Sequence, residues 1–454
     1  MSTALSEKKV EMFERMKVSK AVMRLAVPTV FGCLVMVLYN LVDTYFVGKL
    51  DDPVQNAAVT LVGPVILLFN AVNNLFGVGT GSMMSRALGV RDYETVKRTA
   101  GFGFYSALIC GLLFSAVAIV FQNPILKLLG SAAEDHAVTL AYMKWTVFLG
   151  AAPAILNVVM GNMVRSEGAA MWATLGTVSG CVLNMVLDPI FILPWGLGMG
   201  AEGAGLATFL ANVFATMVFF VYLLVRRGKT FVTVSLRYAI PTRRIVKEVF
   251  YVGVPSAIQN ILNVTGMTIL NNKVAGYGNE AITAMGISHK LSMIPMYMSM
   301  GIGQGIMPLI GYNYAAGNKK RIRETLWFTV KISAAVVLAL VAVCFCFPEE
   351  IVGRFMNVPL VVEYGGAFLR GMCLATPFLA VDFLAVGIFQ ACGLGKYALY
   401  FAIARKVVLE IPAILLLDFL FPMYGLAYAQ LCAETVLAVA AVLLIRKIVG
   451  TKKE

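Results

Sequence analysis

The sequence has little charge and almost no histidine for its length. Only 13% of its 454 residues are Asp, Glu, Lys or Arg, and it contains two histidines. A soluble domain carries about 25% charged residues, so the polar surface that would keep this chain in water is missing. An intramembrane metalloenzyme needs paired histidine ligands, whereas His136 and His289 lie far apart and in no such motif. The sequence therefore predicts a membrane protein without enzymatic activity.

Other common signatures are also missing. The eight cysteines fall in apolar stretches at spacings that fit neither a zinc site nor a redox motif, so we expect small buried hydrophobic side chains. The Gly-rich string at residues 77–81 lacks the Gly-Lys-Ser/Thr ending of a nucleotide-binding loop. We interpret that string as a place where helices pack closely through small residues. Without a nucleotide site, the energy for any transport is expected to come from an ion gradient or from the substrate's own gradient.

The hydrophobic residues occur in blocks of membrane-spanning length. They make up 59% of the chain, and a helix needs about 20 apolar residues to cross a bilayer. The predicted fold is all-α: a polytopic membrane protein with twelve transmembrane helices in two pseudo-symmetric six-helix bundles. The predicted spans begin near Ala21, Ala57, Thr99, Leu140, Trp172, Ala204, Val249, Ala281, Leu326, Phe368, Leu399 and Leu426.

The distribution of basic residues predicts the orientation. If both termini are cytoplasmic, most of the 37 Lys and Arg residues fall on the cytoplasmic side, as the positive-inside rule requires. We therefore expect a multi-pass protein of a bacterial-type inner membrane, in contact with membrane lipids. The net charge of +13 could also suggest a nucleic-acid partner. A nucleic-acid partner would require a basic face on a soluble module, and the sequence contains no such module. No nucleic acid is therefore expected.

Three short strings of the first half recur in the second half, in order and at a nearly constant separation. The matching pairs are Val27-Pro28 with Val254-Pro255, residues 56–63 with 279–286, and residues 77–83 with 301–307. Such a repeat predicts two six-helix halves of the same orientation, with substrate bound between them and rocking of one against the other. The predicted organisation is a cytoplasmic segment 1–20, an N-lobe 21–226, a basic linker 227–246, a C-lobe 247–447 and a cytoplasmic tail 448–454.

Polar residues within the predicted spans mark a candidate site, because ionisable groups at membrane depth are costly. Asp43 lies in the first span, and Asn184 and Asp188 share one helix face in the fifth. The sixth span carries Ala204 and Thr208, also four residues apart. Such an oxygen-rich group suits Na⁺, whereas burial and mutual repulsion would favour a proton on one carboxylate. Alternatively, both acids lie near helix ends, partly hydrated, and only cap loops.

These residues carry a resemblance to the multidrug and toxic compound extrusion (MATE) family, and in particular to its bacterial DinF- and MepA-like branch. The resemblance implies twelve-helix antiporters in two lobes that exchange Na⁺ or H⁺ inward for organic cations and other amphiphilic drugs outward. The matching strings are residues 39–43 with Val47-Gly48, residues 79–89, Asn184-x-x-x-Asp188-Pro189, residues 203–208 and residues 389–393.

The resemblance also implies roles for single residues. Asp43, Asn184, Asp188 and Thr208 match the cation site of the N-lobe, where they would be the ligands of Na⁺, and Ala204 matches a position that contributes its backbone carbonyl. Some members use a Glu in the seventh helix with an Asp in the tenth, and here the seventh helix departs from that pattern. A second polar or substrate site is expected to involve Asn40, Gln259, Asn263 and Asp382.

Further expectations concern the charged residues of the second half. Asp382 is expected either to contact a cationic substrate or to pair with Lys290 or Arg370. Arg405, Lys406 and Glu410 are expected to form a structural pair or an anchor for lipid headgroups.

The leading hypothesis is multidrug efflux by Na⁺- or H⁺-coupled antiport through alternating access. The alternative is a flippase or dedicated exporter of a lipid-linked or metabolite substrate with the same fold. The expected partners are small-molecule drugs and organic cations, with no cofactor besides the coupling ion and a monomeric assembly.

Overall fold

The computed structural model describes residues 11–50, 52–130, 134–356 and 358–450. Within these ranges the chain is almost entirely helical and contains no strand. Parts of the predicted terminal segments, residues 1–10 and 451–454, lie outside the described residues.

The helices follow the order of the predicted spans, and each begins before or close to its predicted apolar run. In the first half they are α1 (Val18–Gly48), α2 (Pro53–Gly89), α3 (Tyr93–Val120), the short α4 (Gln122–Leu129), α5 (His136–Met143), α6 (Ala151–Ser166), α7 (Ala170–Ile192) and α8 (Gly200–Val225). In the second half they are α9 (Arg243–Ala275), α10 (Asn279–Ala315), α11 (Lys319–Cys346), the short α12 (Pro348–Gly353), α13 (Pro359–Ala391), α14 (Gly395–Ile403), α15 (Ile411–Leu420) and α16 (Ala429–Gly450).

Without the short α4 and α12, the helices of the described residues form twelve segments, and two of these are interrupted by a π-helical turn. Lys144–Leu149 joins α5 to α6, and Ala404–Glu410 joins α14 to α15. In the described part of the chain, eight helices are long and apolar enough to cross a membrane, and the α5–α6 pair, bent by 45°, makes a ninth. The remaining three segments, α9, α10 and α14–α15, carry more polar residues or a π-turn. The predicted all-α polytopic membrane fold is confirmed.

The outer surfaces of the helices are apolar, as contact with lipid requires. On α3, Leu112, Leu113 and Val117 are each more than half exposed. The opposite face of the same helix is buried and made of small residues, including Ala107 and Gly111. Large apolar side chains on the outside and small ones at the helix contacts are the pattern of helices that pack within a bilayer.

The chain forms two compact units, and two of its passages from one to the other lie inside α1 and α9. Unit 1 consists mainly of Leu34–Ala257, and unit 2 consists of Phe13–Cys33 together with the chain from Ile258 onward. The first part of α1 thus belongs to unit 2, and the first part of α9 belongs to unit 1. The predicted lobe boundaries at 226 and 247 stay a prediction, and the compact units follow a different division.

The two Gly-rich strings lie where these half-helices pack. In unit 1, Gly79 of α2 faces the backbone carbonyl of Val249 in α9. In unit 2, Gly305 of α10 faces the backbone of Ala26 in α1. A Cβ atom at either glycine would collide with the neighbouring backbone, so only glycine permits this approach. The predicted close helix packing at residues 77–81 is confirmed.

The interior of unit 2 is built on α13. This helix packs along α10 on one side and α16 on another. Next to its end, the rings of Phe389 and Phe401 meet edge to face at 5.2 Å between centroids. Ala385, Leu437 and Ala441 complete this cluster of buried side chains. The core therefore fixes the neighbouring α14 together with α13 and α16, which carry the buried acids Asp382 and Glu434.

The segment after α8 is docked on unit 1 by a buried acid. Glu167, between α6 and α7, is 1% exposed. Its carboxylate accepts hydrogen bonds from the hydroxyl of Tyr222, from the hydroxyl of Thr230 at 2.8 Å and from the N–H of Phe231 at 2.8 Å. The ring of Phe231 also stacks on Tyr93 with centroids 5.1 Å apart. The first part of the predicted linker is therefore held in place.

The rest of the linker lies along α3. The hydroxyl of Tyr105 donates to the carbonyl of Val234 at 2.6 Å. Gly101 faces the backbone carbonyl of Tyr238, and a Cβ at this glycine would collide with it. The ammonium of Lys97 lies 5.7 Å from the centre of the Tyr238 ring. Three α3 positions, four residues apart, thus form the surface that receives the linker.

We expect Glu167→Ala to destabilise the protein by about 2–3 kcal/mol, since hydrogen bonds to a buried charged group are worth about that much. Thermal unfolding of the purified protein in detergent, followed by intrinsic fluorescence, measures the change. Glu94→Ala is the matched control, because Glu94 is half exposed and pairs with Arg98 on the same helix. Equal melting temperatures for the two variants would contradict the role of Glu167.

Candidate functional site

Two acids on different helices of unit 1 lie within range of each other's charge. Asp188 on α7 is fully buried, and Asp43 on α1 is partly buried. The two carboxylates lie close enough to repel each other. The structure therefore brings together the acids of the first and fifth predicted spans. The interpretation of Asp188 as a partly hydrated loop cap is wrong, because its side chain is 0% exposed.

Asn184 ties Asp188 to α8. With its amide oriented so that both ends have partners, its nitrogen donates to Asp188 Oδ2 at 2.8 Å and its oxygen accepts from the N–H of Thr208 at 3.1 Å. In a helix that N–H belongs to the carbonyl four residues earlier, which is Ala204. The carbonyl of Ala204 therefore shares its donor with Asn184. All five residues predicted for the cation site lie in unit 1, and the contacts of Asn184 join those of α7 to α8.

Two tyrosines and two asparagines extend the site beyond the prediction. Tyr39, one turn before Asp43, and Tyr142 on α5 are both within electrostatic reach of the two carboxylates. Asn212 donates to the carbonyl of Thr208 at 2.9 Å, and Asn157 on α6 donates to Asn212 Oδ1 at 3.3 Å. The spacing of residues 204, 208 and 212 was a signal for Asn212, because every fourth residue lies on one helix face.

Asp43 and Asp188 differ from the paired acids of unit 1, such as Glu94 and Glu248, in having no basic partner among the described residues. Within the described residues, neither Asp43 nor Asp188 forms an ion pair with a Lys or Arg side chain. The amide of Asn184 that donates to Asp188 carries no charge, so it does not neutralise the carboxylate. A buried carboxylate without a counter-charge is costly, so this site is suited to a cation or a proton supplied from outside.

The acids of unit 2 are arranged differently. Asp382 on α13 is fully buried, and its Oδ2 lies 3.4 Å from an Arg405 guanidinium nitrogen. The same guanidinium donates through Nε to Glu434 Oε1 on α16 at 2.7 Å. Pairing of Asp382 with Lys290 or Arg370 is therefore wrong. Arg370 instead pairs with Glu349 at 3.2 Å.

A second buried ion pair lies on the π-turn before α15. Lys406 donates to Glu410 Oε1 at 2.6 Å, and both residues are less than 10% exposed. Gly266 of α9 packs against them, and His289 of α10 is within electrostatic reach of Lys406. Lys406 and Glu410 thus form a structural pair as predicted, and their burial excludes the alternative of a lipid-headgroup anchor.

The other residues expected in a second polar site are not all alike. Asn40 is exposed, and its amide donates to the Met36 carbonyl of its own helix at 2.9 Å. Gln259 and Asn263 are partly buried in the portion of α9 that belongs to unit 2. Their assignment to a substrate site stays a prediction.

Long apolar helices that enclose a pair of uncompensated carboxylates define a polytopic membrane transporter. The chain belongs to the MatE family, whose model matches it twice, at residues 28–190 and 255–416. The two matches also confirm the internal repeat.

Relatives support the same family over nearly the whole chain. The multidrug export protein MepA of Staphylococcus saprophyticus is 34% identical over 95% of this chain and 94% of its own length. A crystal structure described as MATE in complex with MaL6 superimposes with a TM-score of 0.91 at 27% identity, covering 98% of both chains. An outward-facing multidrug resistance MATE transporter of the MOP superfamily gives the same TM-score at 26% identity and equal coverage.

We expect Arg405→Leu to lower the stability strongly, by about 3–5 kcal/mol, because it leaves Glu434 and Asp382 buried without their shared counter-charge. The melting temperature in detergent measures this loss. Asp382→Asn serves as the comparison and should cost much less, since no hydrogen bond joins Asp382 to Arg405 within the described residues. A wild-type melting temperature for Arg405→Leu would show that the guanidinium is not a structural counter-ion.

Proposed function

We propose that this protein exports organic, amphiphilic compounds by antiport against Na⁺ or H⁺, and that Asp43 and Asp188 bind the coupling ion. The observation that carries this proposal is the contrast between the two units. Unit 2 neutralises its buried acids with Arg405 and Lys406, whereas unit 1 holds two neighbouring acids with no basic partner among the described residues.

The electrostatic argument leads from this contrast to a coupling ion. Two adjacent carboxylates in an apolar environment repel each other, and desolvation adds to the cost of keeping both charged. A cation from solution removes that cost when it binds and restores it when it leaves. An occupied and an empty site therefore favour different conformations, which is the condition for an ion to drive transport.

Both candidate ions are compatible with the groups at the site. Na⁺ would be held by the carboxylates together with the hydroxyl of Thr208 and the carbonyl of Ala204, all of them hard oxygen donors. A proton needs only one carboxylate, and the hydrogen bond from Asn184 would then help to decide which acid carries it. The two cases differ in whether the α8 oxygens take part.

The cargo class rests on the relatives. The similar staphylococcal proteins are named multidrug export proteins, and the superimposed transporter is described as a multidrug resistance protein. We infer the same class of cargo here: small organic compounds, often cationic, moved out of the cell by alternating access. We propose in addition that both termini face the cytoplasm and that the transporter works as a monomer.

We expect Asp43→Asn and Asp188→Asn each to reduce ion-driven efflux about tenfold or more, since tenfold corresponds to only 1.4 kcal/mol of lost ion binding. Efflux of a fluorescent organic cation from proteoliposomes measures this effect. Asp418→Asn is the matched control, because this acid pairs with Lys273 at 3.3 Å and with the hydroxyl of Tyr277, outside the site. Wild-type efflux by both site variants would refute the carboxylate mechanism.

A second experiment separates the two ions. Na⁺ and pH gradients are imposed one at a time on proteoliposomes that contain either the wild type or Thr208→Val, which keeps the shape of the side chain and removes its oxygen. If Na⁺ is the coupling ion, the Na⁺ gradient drives efflux and the variant weakens it several-fold. If H⁺ is the coupling ion, the pH gradient alone drives efflux and the variant transports normally. Transport under neither gradient would contradict antiport.

A further inference from the structure

Helices α3 and α11 occupy equivalent positions in the repeat and can be compared residue by residue. Both have 28 residues. Both begin with a side-chain cap at the same place: Asp92 accepts from the N–H of Thr95, and Asn318 accepts from the N–H of Arg321. The shared caps fix the register of the comparison.

In this register the linker-binding surface of α3 has a counterpart on α11. The α3 positions Lys97, Gly101 and Tyr105 receive the linker, as described above. The counterparts of these three positions on α11 are Arg323, Trp327 and Lys331, respectively. We call these three residues the α11 stripe.

The α11 stripe is uncovered, in contrast to the α3 surface. Trp327 is 63% exposed, and Arg323 and Lys331 are also exposed. Gly101 lets the linker backbone approach α3, whereas a large indole stands at the equivalent place on α11. A chain segment therefore cannot lie on α11 as the linker lies on α3. The stripe is built for a different partner.

The charge of the stripe is also unbalanced. The ammonium of Lys331 lies 4.7 Å from the centre of the Trp327 ring. Within the described residues, neither Lys331 nor Arg323 forms an ion pair with an acid. The stripe thus presents two cations on either side of an exposed indole, and an anion would complement it.

The position of the stripe along the helix indicates where that anion would come from. Lys331 lies twelve residues into α11, about 18 Å from its start at 1.5 Å per residue. Side chains of a helix lean toward its N-terminus, so the Lys331 stem runs back along the helix surface toward Trp327 and Arg323. Tryptophan rings favour the level of the lipid headgroups. On α11 the outer surface beyond the stripe is apolar, with Leu338 53% exposed.

We propose that the α11 stripe binds an anionic phospholipid from the leaflet at the basic end of α11. The headgroup phosphate lies between the guanidinium of Arg323 and the ammonium of Lys331, and the glycerol and upper acyl chain pack on the indole of Trp327. The linker does not bind the α11 stripe, because it occupies α3. A neutral lipid would leave the charges of Arg323 and Lys331 uncompensated. This inference does not depend on the cargo or the coupling ion.

The test uses the full chain in vesicles of phosphatidylcholine that contain a minor fraction of phosphatidylglycerol. Bromine on the acyl chains quenches nearby tryptophan, and the difference between wild type and Trp327→Phe isolates the signal of Trp327. With only phosphatidylglycerol brominated, we expect quenching well above that from the same fraction of brominated phosphatidylcholine. Lys331→Gln and Arg323→Gln should each lower the enrichment about five-fold, the equivalent of about 1 kcal/mol per basic residue.

A matched control exists on the other half of the chain. Lys144 lies 4.8 Å from the centre of the Trp145 ring, but Glu202 is 4.0 Å from the same ammonium and accepts a hydrogen bond from the indole. The Trp145 signal, isolated with Trp145→Phe, should show no preference for phosphatidylglycerol, and Lys144→Gln should leave it unchanged.

Two results would overturn the proposal. One is equal quenching of Trp327 by both brominated lipids, which would mean that the stripe faces bulk lipid. The other is a Trp327 that neither lipid quenches, together with a dimer in light scattering, which would assign the stripe to a second copy of the chain.

Discussion

Burying a carboxylate in apolar surroundings costs several kcal/mol unless a positive charge or a proton accompanies it. Both units bury acids, and they meet this constraint in opposite ways. In unit 2 the guanidinium of Arg405 reaches Asp382 and Glu434, and Lys406 pairs with Glu410, so the counter-charges are part of the chain. In unit 1 the neighbours of Asp188 are an amide and a second carboxylate. The same constraint is therefore met inside the chain for the acids of unit 2, whereas Asp43 and Asp188 have no counter-charge among the described residues.

The glycine strings determine which helices can hold these acids in place. Because Gly79 and Gly305 carry no Cβ, the first parts of α9 and α1 approach α2 and α10 with their backbones nearly in contact. The second part of α1, which carries Asp43, then belongs to unit 1. A proline lies inside the first part of each of these two helices, Pro28 and Pro255, where it removes a backbone hydrogen bond and allows a bend. Helix α1 thus carries both Asp43 and the proline that allows the helix to bend.

Much of the acidic site could be predicted from the sequence because its contacts are local. Asn184 and Asp188 are one helical turn apart, so their shared face follows from the period of the helix. The partner of Asp382 could not be predicted in this way. Arg405 lies on a different helix, inside a π-helical turn that shifts the phase of the residues after it. Tyr142 could not be predicted for a similar reason. It lies just before the π-turn of Lys144–Leu149, and its separation in sequence from Asp43 and Asp188 does not indicate that they are near in space.

The division into units also left no signal in the sequence. The passage from unit 2 to unit 1 occurs between Cys33 and Leu34, in the middle of a continuous apolar run. The repeat, in contrast, was visible because both halves keep the same small residues at the same separation. The family matches at residues 28–190 and 255–416 begin just at the two prolines. Sequence patterns therefore revealed the two repeated halves, and only the structure revealed that each unit includes a helix segment from the other half.

This sharing has a consequence for how such a chain folds. A fragment ending in the linker would carry the α1 segment that belongs to unit 2, and it would lack the α9 segment that packs against Gly79. Two copies of a six-helix chain could satisfy each other by exchanging those segments, which is the arrangement of a domain-swapped dimer. In one polypeptide, the two halves exchange the same segments within a single molecule. In the single chain, each half supplies one helix segment to the unit that the other half mainly forms.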